Sequence, residues 1–179
     1  LALFSPHGQE GYPGDLSVRV TYTLTHTALE IEYWAVSSLD TICSLTNHTY
    51  FNLAGHDSGP VTNQWIQIFG QSYTPVGPGS IPSGEIAAVE GTPMDLRVPR
   101  RIGAEIDAPF PQLALAGGYD HNFVLRKGRA MGAFATLYDP TSGRSMECLT
   151  DLPGVQLYTA NTTDIAGGKG GAHYGPHCA

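Results

Sequence analysis

Positive charge is scarce in this 179-residue chain. Lysine and arginine together number 9 against 16 aspartates and glutamates, which gives a formal net charge of −7. Binding to nucleic acid depends on clustered Lys and Arg that neutralise phosphates, so a nucleic acid partner is disfavoured. Arg97, Arg100 and Arg101 stand close together, but we interpret this short run as a solvated turn.

Long hydrophobic runs are absent as well. No stretch approaches the ~20 apolar residues that a membrane-spanning helix needs, so no membrane association is predicted. The chain begins at Leu1, without a methionine and without a charged and then apolar leader. Because residues 1–15 are expected to lie in the middle of a domain, the absence of a leader carries no information about the compartment.

Cysteine is rare, and its spacing excludes the usual CxxC sites. The three cysteines are Cys43, Cys148 and Cys178. Free buried thiols in a reducing compartment are the preferred interpretation, which predicts a cytoplasmic protein. One disulfide with a spare thiol is the alternative.

Several motifs that mark cofactor-binding or hydrolytic enzymes are also absent. The sequence has no GxGxxG, GxxxxGK[ST], HExxH or GxSxG, so dinucleotide, P-loop, zincin and hydrolase functions have no support. His173, His177 and Cys178 resemble a metal-binding run, but Tyr-Gly-Pro separates the histidines and prevents a shared helical face. We therefore predict a surface turn there, and no metal or cofactor.

Turn-forming residues are abundant instead, and they favour short strands over long helices. The chain has 22 glycines and 13 prolines, which together make up about a fifth of its 179 residues. The average share of these two residues in proteins is about 12%. Residues 16–25 and 28–37 alternate between apolar and polar side chains, which predicts an antiparallel hairpin with one buried face.

Further strands are predicted along the rest of the chain, with turns between them. DPTSGR at 139–144 is typical of a hairpin turn, and residues 74–84 form a turn-rich connection. The only helix expected is a single turn at 102–106. The pattern predicts one all-β domain over 1–179, an antiparallel β-sandwich. The further strands are predicted at 42–53, 64–70, 122–127, 131–138, 144–150 and 155–161.

Three polar clusters are candidates for chemistry. Residues 45–53 (LTNHTYFNL) contain His48 between two asparagines, residues 117–125 (GGYDHNFVL) contain Asp120 and His121, and residues 152–161 (LPGVQLYTAN) contain Gln156, Tyr158 and Asn161. Taken singly, a strand histidine or an aspartate at the start of a strand is more often structural. Together, carboxylate, amide, aromatic and imidazole groups suit a small polyhydroxylated ligand.

The same segments carry a family resemblance. LTNHTYFNLAG, IPSGEI, GYDHNF and PGVQLYTAN, in this order and after the opening GYPGDLSVRVTYTLT, resemble the aldose 1-epimerase (galactose mutarotase) family. The resemblance implies a large antiparallel β-sandwich with a sugar cleft on one face. It implies an isomerase that interconverts the α and β anomers of aldohexoses without a cofactor. His48 would be the general acid toward the ring oxygen, while Asp120 and Gln156 would hold sugar hydroxyls.

The sequence also departs from the family pattern. It contains neither the C-terminal LETQ-like strand, whose glutamate is the family's general base, nor the Asn-Arg pair and second active-site histidine that would precede Leu1. Glu147 matches a structural position and is not assigned as the base. We therefore expect a central fragment, incomplete at both ends, that is inactive by itself. We also expect it to fold poorly alone, because the loss of outer strands would leave unpaired edges.

Two other functions are compatible with the same residues. One is a carbohydrate-binding β-sandwich of the same fold without catalysis. The other is a sugar-phosphate epimerase, which would need a basic cluster near the cleft to bind the phosphate. The positions of Arg97, Arg100 and Arg101 in the sequence give little support to such a cluster.

Overall fold

The computed structural model describes residues 1–125 and 130–179. They form two compact units, Leu1–Thr49 and Tyr50–Ala179, and the expectation of one domain over 1–179 stays a prediction. The elements, in chain order, are β1 (Ala2–Ser5), β2 (Leu16–Leu24), β3 (Leu29–Ser37), β4 (Trp65–Ile68), β5 (Ser72–Thr74), β6 (Ala87–Ala88), β7 (Arg100–Arg101), α1 (Pro111–Ala116), β8 (Asp120–Val124), β9 (Gly132–Tyr138), β10 (Ser145–Thr150) and β11 (Gly154–Tyr158). Short 3-10 turns lie at Gln9–Gly11, Val61–Asn63, Pro78–Ser80, Ile102–Ala104 and Lys169–Gly171.

The first unit is a three-stranded antiparallel sheet in the order β1-β2-β3. The predicted hairpin is confirmed, since β2 and β3 pair in register from Leu16 opposite Ser37 to Leu24 opposite Leu29. Its apolar face is covered unevenly: Val18 is buried, whereas Leu24 is exposed. A single small sheet supplies no second layer to cover that face.

The strand predicted at 42–53 is wrong. The structure assigns no strand to any of these residues. Their polar and aromatic side chains give no alternating pattern that would select one face. A strand also needs a neighbour to accept its backbone hydrogen bonds, and no strand of the described residues pairs with this segment.

The second unit contains two four-stranded antiparallel sheets, which confirms the predicted all-β sandwich class. Their strand orders are β10-β9-β4-β7 and β11-β8-β5-β6. Ile66 and Ala135 from the first sheet join Tyr73 and Phe123 from the second in one hydrophobic cluster. Alternation along each strand sends these side chains to the shared core and the intervening ones outward.

The hairpin predicted at DPTSGR joins β9 to β10. Asp139 Oδ2 accepts a hydrogen bond from the backbone N–H of Ser142 at 2.7 Å, and Gly143 adopts a φ of 72°. The pKa of Asp139 is lowered mainly by hydrogen bonding from the Ser142 side chain, and the Ser142 backbone N–H adds to the effect. The hairpin turn predicted at 139–144 is therefore confirmed.

The structure contains more helix than the sequence pattern predicts. A 3-10 turn does lie at Ile102–Ala104, within the predicted segment, but α1 was not expected. Its signals are present in the sequence: Pro111 occupies the first turn and Gly117 ends the helix with a φ of 69°. Leu113 is buried and anchors α1 to the core, so packing outweighs the weak propensity of a six-residue helix.

Candidate functional site

The structure brings Asp120 and Gln156 together on neighbouring strands. β11 pairs antiparallel with β8, and Tyr158 lies opposite Asp120 while Gln156 lies opposite Asn122. Opposite residues share a face of a sheet, so all four side chains point to the same side. The Gln156 side-chain Nε2–H donates to Asp120 Oδ1 at 2.8 Å. We call these four residues the polar patch.

The polar patch faces outward because the residues between its members face the core. His121 and Phe123 on β8 are fully buried, and Leu157 on β11 packs against the hydrophobic cluster. The strand period of two then places Asp120 and Gln156 on the opposite side. Asp120 is partly buried, and Gln156 is exposed.

Tyr158 of the polar patch forms an aromatic pair with Tyr50. The ring of Tyr158 lies 6.1 Å from the ring of Tyr50, with an angle of 52° between their planes. Aromatic faces beside hydrogen-bonding groups suit the apolar face of a sugar ring. Tyr50 belongs to the LTNHTYFNL segment, so two of the three candidate segments contribute to this aromatic pair.

His121 lies behind Asp120 and has a structural role. Its Nδ1 accepts the backbone N–H of Asp120 at 3.1 Å, which leaves the ring proton on Nε2. The ring meets Tyr73 edge to face, with centroids 5.9 Å apart. Burial lowers the pKa of His121, and the Asp120 charge opposes this shift only in part, so the imidazole is kept neutral.

The buried His121 predicts acid sensitivity of the fold. Below the ordinary histidine pKa of 6.5, the unfolded chain takes up a proton that the folded state resists. Because the unfolded state then binds more protons, the free energy of unfolding falls as the pH drops from 6.5 toward the lowered pKa of His121. The contribution of His121 to this slope is at most about 1.4 kcal/mol per pH unit, and above pH 6.5 its contribution no longer changes with pH. Urea denaturation between pH 7.5 and 4.5 measures this slope.

Replacing His121 isolates its share of the acid sensitivity. The variant His121→Gln should be less stable at pH 7.5 but show a shallower dependence on pH. Asn122→Ala on the other face of β8 is the matched control, since it removes no titrating group and should keep the wild-type slope. Equal slopes in wild type and His121→Gln would refute the assignment.

His48 lies in the first unit and is exposed. The backbone around it is irregular, with the N–H of Thr49 donating to Asn47 Oδ1 at 3.1 Å. Such a side chain-to-backbone bond is typical of a turn. The imidazole is therefore not a component of a hydrophobic core.

Asn52, the second asparagine flanking His48 in the sequence, is structural in the second unit. Its Nδ2 donates to the carbonyl oxygens of Gly59 at 2.9 Å and Cys178 at 3.0 Å. Its Oδ1 accepts from Gln64 Nε2 at 2.7 Å and from the N–H of Ala54 at 3.1 Å. The amide uses both donors and both lone pairs, which accounts for its place in the motif.

The histidines of the C-terminal tail have separate partners. His173 Nε2 lies 2.6 Å from Asp164 Oδ1, and His177 Nδ1 lies 3.0 Å from the carbonyl oxygen of Thr159. Within residues 1–125 and 130–179, no group of three or more His, Cys, Asp or Glu side chains is arranged to hold a metal ion.

The three cysteines are free thiols. Cys148 is partly buried, and this burial raises the pKa of its thiol. Cys43 is exposed, so the prediction of buried thiols is wrong for this residue, because it lies in the irregular segment before His48. In the part of the chain that the structure describes, no helix has the length and apolar character to cross a membrane.

Arg97 and Arg100, two of the three arginines near residue 100, are paired with carboxylates. Arg97 Nη2 lies 2.7 Å from Asp95 Oδ2, and Arg100 Nη1 lies 3.0 Å from Glu105 Oε1. Hydrogen bonding to Arg97 is the main cause of a lowered pKa for Asp95. Each of these two guanidinium groups already has a carboxylate beside it, which gives no support to a phosphate-binding cluster.

Glu147 lies on β10, in the four-stranded sheet that does not contain the polar patch. It lines a groove of about 320 Å³ together with Trp65 and Thr136. The expectation that Glu147 is not the catalytic base stays a prediction.

A two-sheet antiparallel sandwich with a carboxylate–amide pair on one outer face suits a sugar-binding protein. Comparison with known proteins makes the class specific, because the family model described as aldose 1-epimerase matches residues 1–179. The chain belongs to the aldose 1-epimerase family.

Relatives and solved structures agree with this assignment. The chain is 43% identical over 174 residues to the galactose mutarotase of Homo sapiens, covering 97% of this chain and 49% of that protein. It is 35% identical over 162 residues to the aldose 1-epimerase of Escherichia coli, covering 89% of this chain and 46% of that protein. The chain therefore spans about half the length of the curated relatives it matches.

Two crystal structures have the same fold. An aldose epimerase homologue from C. elegans matches with a TM-score of 0.85 at 26% identity, covering 99% of this chain and 53% of that one. A galactose 1-epimerase from Lactobacillus acidophilus matches with a TM-score of 0.79 at 28% identity, covering 98% of this chain and 51% of that one.

Proposed function

We propose that the protein is an aldose 1-epimerase, an isomerase that interconverts the α and β anomers of aldohexoses such as galactose and glucose. The observation that carries the proposal is the 2.8 Å hydrogen bond between Gln156 and Asp120 on an outward face of the sheet. Relatives named galactose mutarotase and aldose 1-epimerase support the choice of reaction. The three free thiols favour a cytoplasmic location, which we propose with it.

The polar patch offers complementary groups to a sugar. A carboxylate has about four lone-pair positions, so the bond between Asp120 Oδ1 and Gln156 leaves capacity for sugar hydroxyls. That same bond fixes the orientation of both side chains before the sugar arrives, which lowers the entropy cost of binding. Tyr158, on the same face, supplies an apolar surface for the ring.

His48 is the proposed general acid. A carboxylate base removes the proton of the anomeric hydroxyl while protonated His48 delivers a proton to the ring oxygen. The C1–O5 bond breaks, an aldehyde forms at C1, and rotation about the C1–C2 bond presents its other face. Reclosure returns both protons and gives the other anomer. No electrons are gained or lost, and each proton-transfer group contributes about 10²–10⁴-fold to the rate.

The proposal is tested by polarimetry of freshly dissolved α-D-galactose and α-D-glucose with the full-length protein. A rate of optical change that increases with protein concentration, above the rate in buffer, supports it. Saturable sugar binding without any rate increase would instead favour the non-catalytic carbohydrate-binding alternative. The 179-residue chain, assayed in parallel, tests the expectation that it is inactive by itself.

Replacing Gln156 should weaken sugar binding moderately. In Gln156→Ala we expect KM to rise about fivefold with kcat nearly unchanged, because one neutral hydrogen bond is worth about 1 kcal/mol. Gln67→Ala on β4 is the matched control, since Gln67 donates to the carbonyl oxygen of Arg97 at 2.8 Å and lies on the other sheet. A KM for Gln156→Ala equal to that of the control would count against the assignment.

A further inference from the structure

The loop that leads into Asp120 has little rigidity of its own. Gly117 and Gly118 adopt φ values of 69° and 141°, and only the buried Tyr119 separates them from Asp120. Two consecutive glycines leave the backbone a wide choice of conformations. Contacts from outside the loop must therefore fix the point at which β8 begins, and with it the direction of the Asp120 side chain.

Asn161, just beyond β11, supplies the first of these contacts. Its Nδ2 donates to the carbonyl oxygen of Ala116 at 2.8 Å and to that of Tyr119 at 3.1 Å. Ala116 is the last residue of α1, and Tyr119 directly precedes Asp120. A single amide group thus joins the end of the helix to the start of the strand.

Thr159 completes the arrangement from the same side. Its Oγ1 accepts the N–H of Tyr119 at 3.1 Å and donates to Asn161 Oδ1 at 2.6 Å, and its backbone N–H donates to the carbonyl oxygen of Tyr119 at 3.1 Å. Both backbone polar groups of Tyr119 are bound in this way. Thr159 and Tyr119 are each 1% exposed, so water does not compete for these bonds.

Gly118 is shaped to fit these two side chains. A Cβ atom at this position would lie 2.4 Å from Asn161 Oδ1 and 2.9 Å from Thr159 Oγ1. The absence of a side chain at 118 is thus what allows the hydroxyl and the amide to reach the loop. Gly118 of GGYDHNF therefore packs directly against Thr159 and Asn161 of YTAN.

We propose that Thr159 and Asn161 are positioning residues that hold Asp120 in the orientation needed to bind sugar hydroxyls. This inference rests on the proposed function. The two side chains act through the backbone of Tyr119 and make no contact with the sugar themselves. This proposal gives a role to Asn161, a candidate functional residue that takes no part in the proposed chemistry.

Steady-state mutarotation kinetics of the full-length protein test this proposal. In Asn161→Ala, and in the nearly isosteric Thr159→Val, we expect KM for galactose to rise about 10-fold while kcat changes much less, since Asp120 is assigned to binding. Thermal unfolding shows whether each variant is folded. Thr159→Val, which replaces the hydroxyl by a methyl group of similar size, carries the test if Asn161→Ala does not fold.

A double-mutant cycle separates positioning from general destabilisation. If Asn161 acts through Asp120, its replacement should cost about 10-fold in kcat/KM in the wild type and less than about twofold in the Asp120→Ala background. Gln112→Ala is the matched control. The Gln112 amide likewise binds both backbone polar groups of one residue: Oε1 accepts the N–H of Val76 at 2.8 Å, and Nε2 donates to the carbonyl oxygen of Val76 at 3.0 Å. Gln112→Ala should leave KM unchanged.

The outcomes distinguish this proposal from the proposed function. Equal losses from Asn161→Ala in both backgrounds, or an unchanged KM in folded Asn161→Ala and Thr159→Val, would overturn the positioning role and leave the function intact. An unchanged KM in Asp120→Ala itself would overturn the binding role of Asp120, and this inference with it.

Discussion

Replacing His48 with asparagine is expected to lower kcat for anomer interconversion by about 10²–10⁴-fold, the usual contribution of one general acid. An amide keeps hydrogen-bonding capacity but cannot release a proton to the ring oxygen as the bond to C1 breaks. Because the interaction with the ring oxygen is strongest in the transition state, KM should change far less than kcat. Polarimetry of fresh α-D-galactose with the full-length protein measures both parameters.

The control for this experiment is a second exposed histidine of the first unit. His26 lies in the turn between β2 and β3, and His26→Asn should leave kcat unchanged. Since His48 is also exposed, its replacement should preserve the folded state, which thermal unfolding checks. A folded His48→Asn variant with wild-type kcat would show that another group donates the proton.

Alternation was the sequence signal that predicted structure best. The hairpin of β2 and β3 follows from strict alternation, and β8, β9, β10 and β11 begin or end within a few residues of the predicted runs. The end of the run predicted at 122–127 lies outside the described residues. Period-two patterning is informative here because each strand has one face toward a core and one toward solvent.

Parity along a strand is a second informative signal in this sequence. His121 and Phe123 are two residues apart on β8, so a core-facing phenylalanine already places the histidine inward. The same step places Asp120 outward, where Gln156 reaches it. The family resemblance assigns Asp120 and Gln156 to the same sugar site. Parity along β8 predicts only that Asp120 points outward.

Other features depend on tertiary contacts that no local pattern encodes. The segment at 42–53 has β-branched and aromatic residues, yet none of the described strands pairs with it, and propensity alone does not create a strand. The contacts of Asn161 with Ala116 and Tyr119 span more than 40 positions of sequence. Such a long-range amide bridge is invisible in a single sequence.

Removing the carboxylate of Asp120 should have the second largest effect. We expect Asp120→Ala to raise KM for galactose about 10–100-fold, because a hydrogen bond to a charged acceptor is worth about 1.5–3 kcal/mol. Asp120→Asn keeps the shape and one acceptor oxygen, so its KM should lie between those of the wild type and Asp120→Ala. The loss of kcat should be smaller than the rise in KM in both variants, since the carboxylate holds hydroxyls that do not react.

Asp151→Ala is the matched control for this prediction, because Asp151 is an exposed carboxylate of the same unit in the connection between β10 and β11. Combining Asp120→Ala with Gln156→Ala should cost less than the product of the separate effects, since the first change already removes the partner of the Gln156 amide. If the two losses multiply, the side chains bind sugar independently and their mutual bond does not organise the patch. If Asp120→Ala lowers kcat with KM unchanged, the carboxylate takes part in the chemical step and is not a binding group.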